Sequence, residues 1–163
     1  MSKKSHQDPD IIGIINAGLI LILIAVFLVF RPLLIPTGFN FILDLRWLEV
    51  SPGIFWWSPQ TPGAHVYVYE TMYLFFLGTI IISFIVLALR VVFRDNYDRQ
   101  IEGIGSIIMS AGITWAAYNL FFNYTPITAF TVFSGWFIVF VGVSIIIQSF
   151  GHWVVSNYGK STQ

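Results

Sequence analysis

Long apolar runs, parted by short charged or proline-containing breaks, make up most of this chain. Residues 11–30 carry no charge, hold Asn16 as their one strongly polar member, and end at Arg31-Pro32. A helix needs about 20 apolar residues to cross a bilayer core, so this run predicts a first span over 10–30. Asp8-Pro9-Asp10 supplies its start, with Asp8 placed to cap and Pro9 at the first helical position. A second run predicts a span over 71–93, with Arg90 near enough to its end to reach the headgroups along its own stem. From Gly103 to Gly159 there is no Asp, Glu, Lys or Arg. Two helices fit there, over 102–122 and 126–151. Asn123-Tyr124-Thr125-Pro126 divides them, because Thr125 can cap and Pro126 opens a new helix while ending the old one.

The stretch 31–70 has a different texture. It holds five of the seven prolines, and a connection of this length predicts structure of its own. Phe39, Phe41, Leu43, Leu45 and Trp47 alternate with polar residues except at Ile42, and His65 to Tyr69 alternates as His-Val-Tyr-Val-Tyr. Turn-like breaks at Ser51-Pro52-Gly53 and at 58–63 fit a small antiparallel hairpin or three-stranded piece. An interfacial helix over 39–50 is the alternative, since Phe41, Leu45 and Leu48 also fall at helical spacing. Either form leaves Trp47, Phe55, Trp56 and Trp57 at headgroup level, as anchors or as a cap over a partner subunit or lipophilic ligand.

Composition agrees with lipid surroundings. The chain of 163 residues is 56% hydrophobic, 18% aromatic and 10% charged, with a formal net charge of zero and no cysteine. A soluble domain carries about a quarter charged residues, so the deficit points to a membrane. The same figures exclude a disordered chain, a disulfide scaffold and a nucleic-acid binder resting on basic charge. A cleaved leader has an apolar region of about 7 to 15 residues, so the longer first run is expected to stay as a helix. Lys3, Lys4, Arg90, Arg94, Arg99 and Lys160 fall on the side of the termini and the short loop 94–101, against Arg31 and Arg46 on the other. The positive-inside rule then places both termini in the cytoplasm and 31–70 outside the cell membrane.

In lipid, helices pair through small side chains that let backbones approach. Gly103, Ser106, Ser110, Thr114 and Ala117 make one stripe on the third span, and Thr131, Gly135, Gly142 and Ser149 are the matching small residues of the fourth. These are the expected contact between the two helices. Weaker sets are Gly13, Ala17 and Gly18 on the first span and Gly78, Thr79 and Ser83 on the second. The expected fold is all-α and integral to the membrane, a single polytopic domain over 1–163. Its four helices form two antiparallel hairpins in a bundle, with the structured loop between the first two.

Catalytic chemistry is thinly represented. Apart from Asp10 and Glu102 at their first positions, Arg90, itself at an edge, is the sole charged residue in the predicted spans. A proton-coupled transporter would need an acid deep in a helix, and a haem protein would need histidine there. His6 and His152 fall on the cytoplasmic side and His65 outside, so they form no common site. His6 with Asp8 and Asp10, and His65 with Glu70, are incomplete metal-ligand sets. Asn16, Asn119 and Gln148 are amides suited to helix-helix hydrogen bonds, and Tyr118 with Asn119 are candidates for a polar pocket. The Asn123-Tyr124-Thr125 sequon sits in a tight turn and is discounted. Arg31, Trp47, Trp56, Trp57, Arg90, Arg94 and Trp153 are read as interface anchors. Asp95, Asp98, Arg99 and Glu102 are either a solvated turn or a partner contact, with Arg94–Asp98 and Asp95–Arg99 spaced for ion pairs. No catalytic, metal or cofactor site is assigned. The expected function is that of a non-catalytic accessory or scaffold subunit, whose partners are the bilayer and other membrane subunits or copies of itself. A small transporter or channel component is the alternative, and an interfacial enzyme using Ser51, Ser58, His65 and Glu70 is third.

Overall fold

The structure, a computed structural model, describes residues 10–158. In chain order it comprises α1 (Ile11–Phe30), α2 (Leu34–Asp44), β1 (Leu45–Ser51), β2 (Ile54–Pro59), a 3-10 turn (Pro62–His65), α3 (Val66–Val92), α4 (Tyr97–Phe122) and α5 (Thr128–Tyr158). The protein is mostly helical. Four helices, α1, α3 with its preceding turn, α4 and α5, are long and apolar enough to cross a membrane.

Local chemistry explains the helix ends. Asp10 caps α1 by accepting from the Gly13 N–H at 2.9 Å, a role the sequence assigns to Asp8, which lies outside the described residues. Asn96 caps α4 by accepting from the Asp98 N–H. Between them α3 ends on Arg94, which takes the left-handed φ of 51° as the Asp95 N–H bonds back to the Arg90 carbonyl. α5 begins at Thr128, not 126, with the Ala129 N–H held by the Pro126 carbonyl.

The stretch 31–70 contains both expected forms in succession. Its first part is helix α2, and its second is the antiparallel hairpin β1–β2, in which Leu45 pairs with Pro59 and Trp47 with Trp57. Gly53 turns the hairpin at φ 75°, a conformation that suits glycine, and its N–H is held by the Glu49 carboxylate at 2.8 Å. The alternation at 65–69 is not a third strand. His65 closes the 3-10 turn that Pro62 starts and Val66 opens α3, because adjacent Val68 and Tyr69 are both buried, as the broad inner face of a helix permits.

α4 is the central helix, packed on α3 along one face and on α5 along the other, while α1 leans chiefly on α3. Tyr73 meets Tyr118 and Phe121, Ser83 meets Ser106 and Ser110, and Leu87 lies over Gly103, so the contacts climb α3 as they descend α4. The helices therefore lie in the order α1, α3, α4, α5. A buried apolar cluster lies at the hairpin end, made of Phe41 of α2 with Val68, Tyr69, Ala116, Ala117, Leu120 and Phe133.

Candidate functional surfaces

The small-residue stripe of α4 faces α3. Gly103 receives Leu87, Ser106 and Ser110 approach the Ser83 hydroxyl at 3.3 and 3.5 Å, and Thr114 and Ala117 continue that buried face. The contact with α5 uses a second small face, built on Gly105 and Gly112. The Ser144 hydroxyl donates to the Gly105 carbonyl at 2.9 Å, and the Phe140 ring lies so close to Gly112 that a Cβ there would overlap it. Seven residues separate these two glycines, which puts them on one face about half a turn from the first stripe at 100° per residue. The contact with α5, expected of the stripe from Gly103 to Ala117, thus falls to Gly105 and Gly112, which that expectation passes over although their spacing puts them on one face.

α5 consequently turns its own small residues outward. Gly135, Ile138, Gly142, Ile145 and Ser149 recur at spacings of three and four, the a/d pattern of a helix-packing seam. A Cβ at Gly135 or Gly142 would meet nothing within 4 Å, and Ile138 and Ile145 are 60% and 58% exposed. By helical angle this seam lies nearly opposite Phe140, Ser144 and Gln148, which bind α4. Thr131, at the start of the same face, is partly buried, with a hydroxyl that finds no partner.

At the hairpin end, polar bonds lock the cap to the helices. Asp44 accepts from the Thr61 N–H and hydroxyl, each at 2.9 Å, and from buried His65 Nε2 at 2.8 Å. Burial pushes the Asp44 carboxyl up, but these hydrogen bonds outweigh it and hold the group below the usual carboxylate range. Arg31 forms a two-pronged pair with Glu70 at 2.8 and 2.9 Å and lies over the Tyr67 ring, so its own pKa is raised, chiefly by the Glu70 bond. The Ser58 hydroxyl donates to the Ile127 carbonyl at 2.7 Å and ties β2 to the α4–α5 turn. His65 and Glu70 thus serve different partners, and among the described residues no three His, Asp or Glu converge as a metal site. His6 lies outside the described residues. Trp47 and Trp57 stack edge to face across the hairpin and remain more than half exposed, while Trp56 is partly buried. Tyr118 turns to Tyr73 and Phe122, whereas Asn119 lines a separate cavity of about 280 Å³ between α4 and α5 with Trp115, Asn123 and Trp136.

At the other end one of the two ion pairs expected from spacing forms, Asp95 with Arg99, and the other, Arg94 with Asp98, does not. Arg99 reaches Asp95 at 3.3 Å and also Asp10 at 3.5 Å, joining the start of α1 to the α3–α4 turn. Asp98 pairs with His152 of α5 at 3.0 Å rather than with Arg94, which closes α3 in a left-handed conformation and stays exposed. Trp153 is 60% exposed and stacks on Phe150. Arg90 does not reach outward as an anchor. It is 8% exposed, donates through Nη1 to the Arg99 carbonyl, and has the Glu102 carboxylate 3.7 Å from the same nitrogen. Its Nε is buried without a partner. The guanidinium lines a cleft of about 200 Å³ between α1, α3 and α4, together with Asn16, Ser83, Glu102 and Ser106.

These features define a class: a mostly helical protein with four helices compatible with multiple membrane crossings and a small hairpin at one end. No protein family, curated protein or solved structure compared with this chain matches it.

Proposed function

We propose that this chain is a non-catalytic subunit of a larger membrane complex, accessory or scaffolding in role. It crosses the cell membrane four times as two antiparallel hairpins. Both termini and the 94–101 turn face the cytoplasm, and the α2–hairpin cap lies outside. Helix length, the scarcity of charge between the ends, and the basic residues gathered with the termini support that placement.

The observation that carries the subunit reading is the outward seam of α5. Lipid tails gain little from a flat glycine face, whereas a second helix gains close dispersion contact there. Gly135, Gly142 and Ser149 supply recesses, and Ile138 and Ile145 supply the knobs between them. We assign this seam to a helix of another membrane subunit.

Mild detergent extraction followed by size separation and mass analysis tests it. Distinct partners in fixed stoichiometry are expected, and Gly142→Leu is expected to release them while the chain stays folded, since the added side chain enters open space. Recovery of a lone monomer from the wild type would overturn the proposal. Recovery solely as a homodimer would replace the assigned partner by a second copy.

A further inference from the structure

We propose that the cleft between α1, α3 and α4 is a binding site for a phosphate group, carried by a lipid headgroup or present as the free ion. The cleft concentrates polar groups where the helices are otherwise apolar. Asn16 is the one strongly polar residue within the charge-free run of α1, and it faces Ser83 and Arg90 of α3 and Glu102 and Ser106 of α4. Such groups are costly among packed apolar helices unless something satisfies them.

Arg90 is the least satisfied. More than nine-tenths buried, it commits Nη1 to the Arg99 carbonyl but leaves Nε buried with no acceptor. A guanidinium offers donors in a planar fork that matches the oxygens of phosphate. The Asn16 amide lines the same cleft, as do the Ser83 and Ser106 hydroxyls, which share a hydrogen bond at 3.3 Å and leave one hydroxyl proton between them for a ligand. At about 200 Å³ the space equals that of roughly seven water molecules at about 30 Å³ each, enough for one phosphate.

Glu102 is the opposing group. Its carboxylate lies 3.7 Å from Nη1 with a side chain 52% exposed, so it sits at the mouth as a loose counter-ion that an incoming phosphate displaces. Arg99 is engaged with Asp10 and Asp95 and takes no part. The site is independent of the α5 seam and shares no residue with it. Only its lipid source rests on the membrane reading.

The test uses the full chain purified in a neutral detergent and titrated with phosphatidylglycerol, diacylglycerol or inorganic phosphate, read by retained ligand in native mass spectrometry and by the melting temperature. Phosphatidylglycerol is expected to be retained and to raise the melting temperature. Arg90→Gln and Asn16→Leu should each weaken retention about tenfold, and Glu102→Gln should tighten it severalfold. Inorganic phosphate that competes with the lipid, or binds alone, identifies the free ion as the source. Failure to compete identifies the headgroup. Equal retention of diacylglycerol, which has no phosphate, or retention unchanged in all three variants, overturns the site, as does absence of any retained phosphate compound. Where Arg90→Gln does not fold, Asn16→Leu and Glu102→Gln still decide. A wild type extracted from membranes by alkaline washing would instead overturn the membrane reading and leave the free-ion arm standing.

Discussion

Single residues carry the polar economy of this protein. Asp44 is an acceptor at the junction of α2 and β1, and three donors from the 61–65 segment converge on it. Asp44→Asn keeps the shape but removes the charge, and hydrogen bonds to charged groups contribute about 1.5 to 3 kcal/mol each, so a loss of about 2 kcal/mol is expected in detergent unfolding. The pH dependence has a definite sign. Because the folded state holds the Asp44 carboxyl below its unfolded value, its contribution is complete above the ordinary carboxylate pKa of about 3.9 and is lost as pH falls through the lower folded value. Melting temperatures of wild type and Asp44→Asn should therefore converge below about pH 4. Arg94 shows the reverse economy. A side chain at φ 51° costs about 1 kcal/mol, so Arg94→Gly should be neutral or stabilising by up to that amount, measurable as a small rise in melting temperature.

Among elements, the two glycine faces separate. Gly112 lies under Phe140, whose ring is flanked by Trp115 and Trp136, so it has little freedom to withdraw. Gly112→Ala should cost about 1 to 3 kcal/mol as overpacking, seen as a lower melting temperature of the isolated chain. Gly142→Leu should leave that temperature nearly unchanged and act on association alone. The opposite result for the pair, with Gly142→Leu unfolding the chain and Gly112→Ala neutral, would show that α5 packs through its other face. Element existence was legible from the apolar runs and their charged breaks, since each apolar run became a helix. Element boundaries were less so. Short alternation at 65–69 also fits a helix whose inner face is broad, and at 39–47 the change from helix to strand at Leu45 depends on the β2 partner, which a local pattern does not contain. Arg90 was legible as a residue but not in its direction, because a long side chain near a helix end can reach outward or inward with equal ease along the chain.

For the whole molecule, the order α1, α3, α4, α5 leaves α1 on one flank and the α5 seam on the other, with polar locks at both ends of the row. Length, apolar runs and the placement of charge are properties of the chain itself, and they determined that four helices would form, each long enough to cross a bilayer, with a separately structured piece between the first two. Which faces meet is a property of pairs. α4 carries small residues on two opposite sides, and hydropathy is the same whichever neighbour covers them. Only the tertiary structure decided that Gly103 and Ser106 meet α3, that Gly105 and Gly112 meet α5, and that Gly135 and Gly142 are left open, because close packing selects by shape between surfaces that the solvent preference of the side chains does not distinguish.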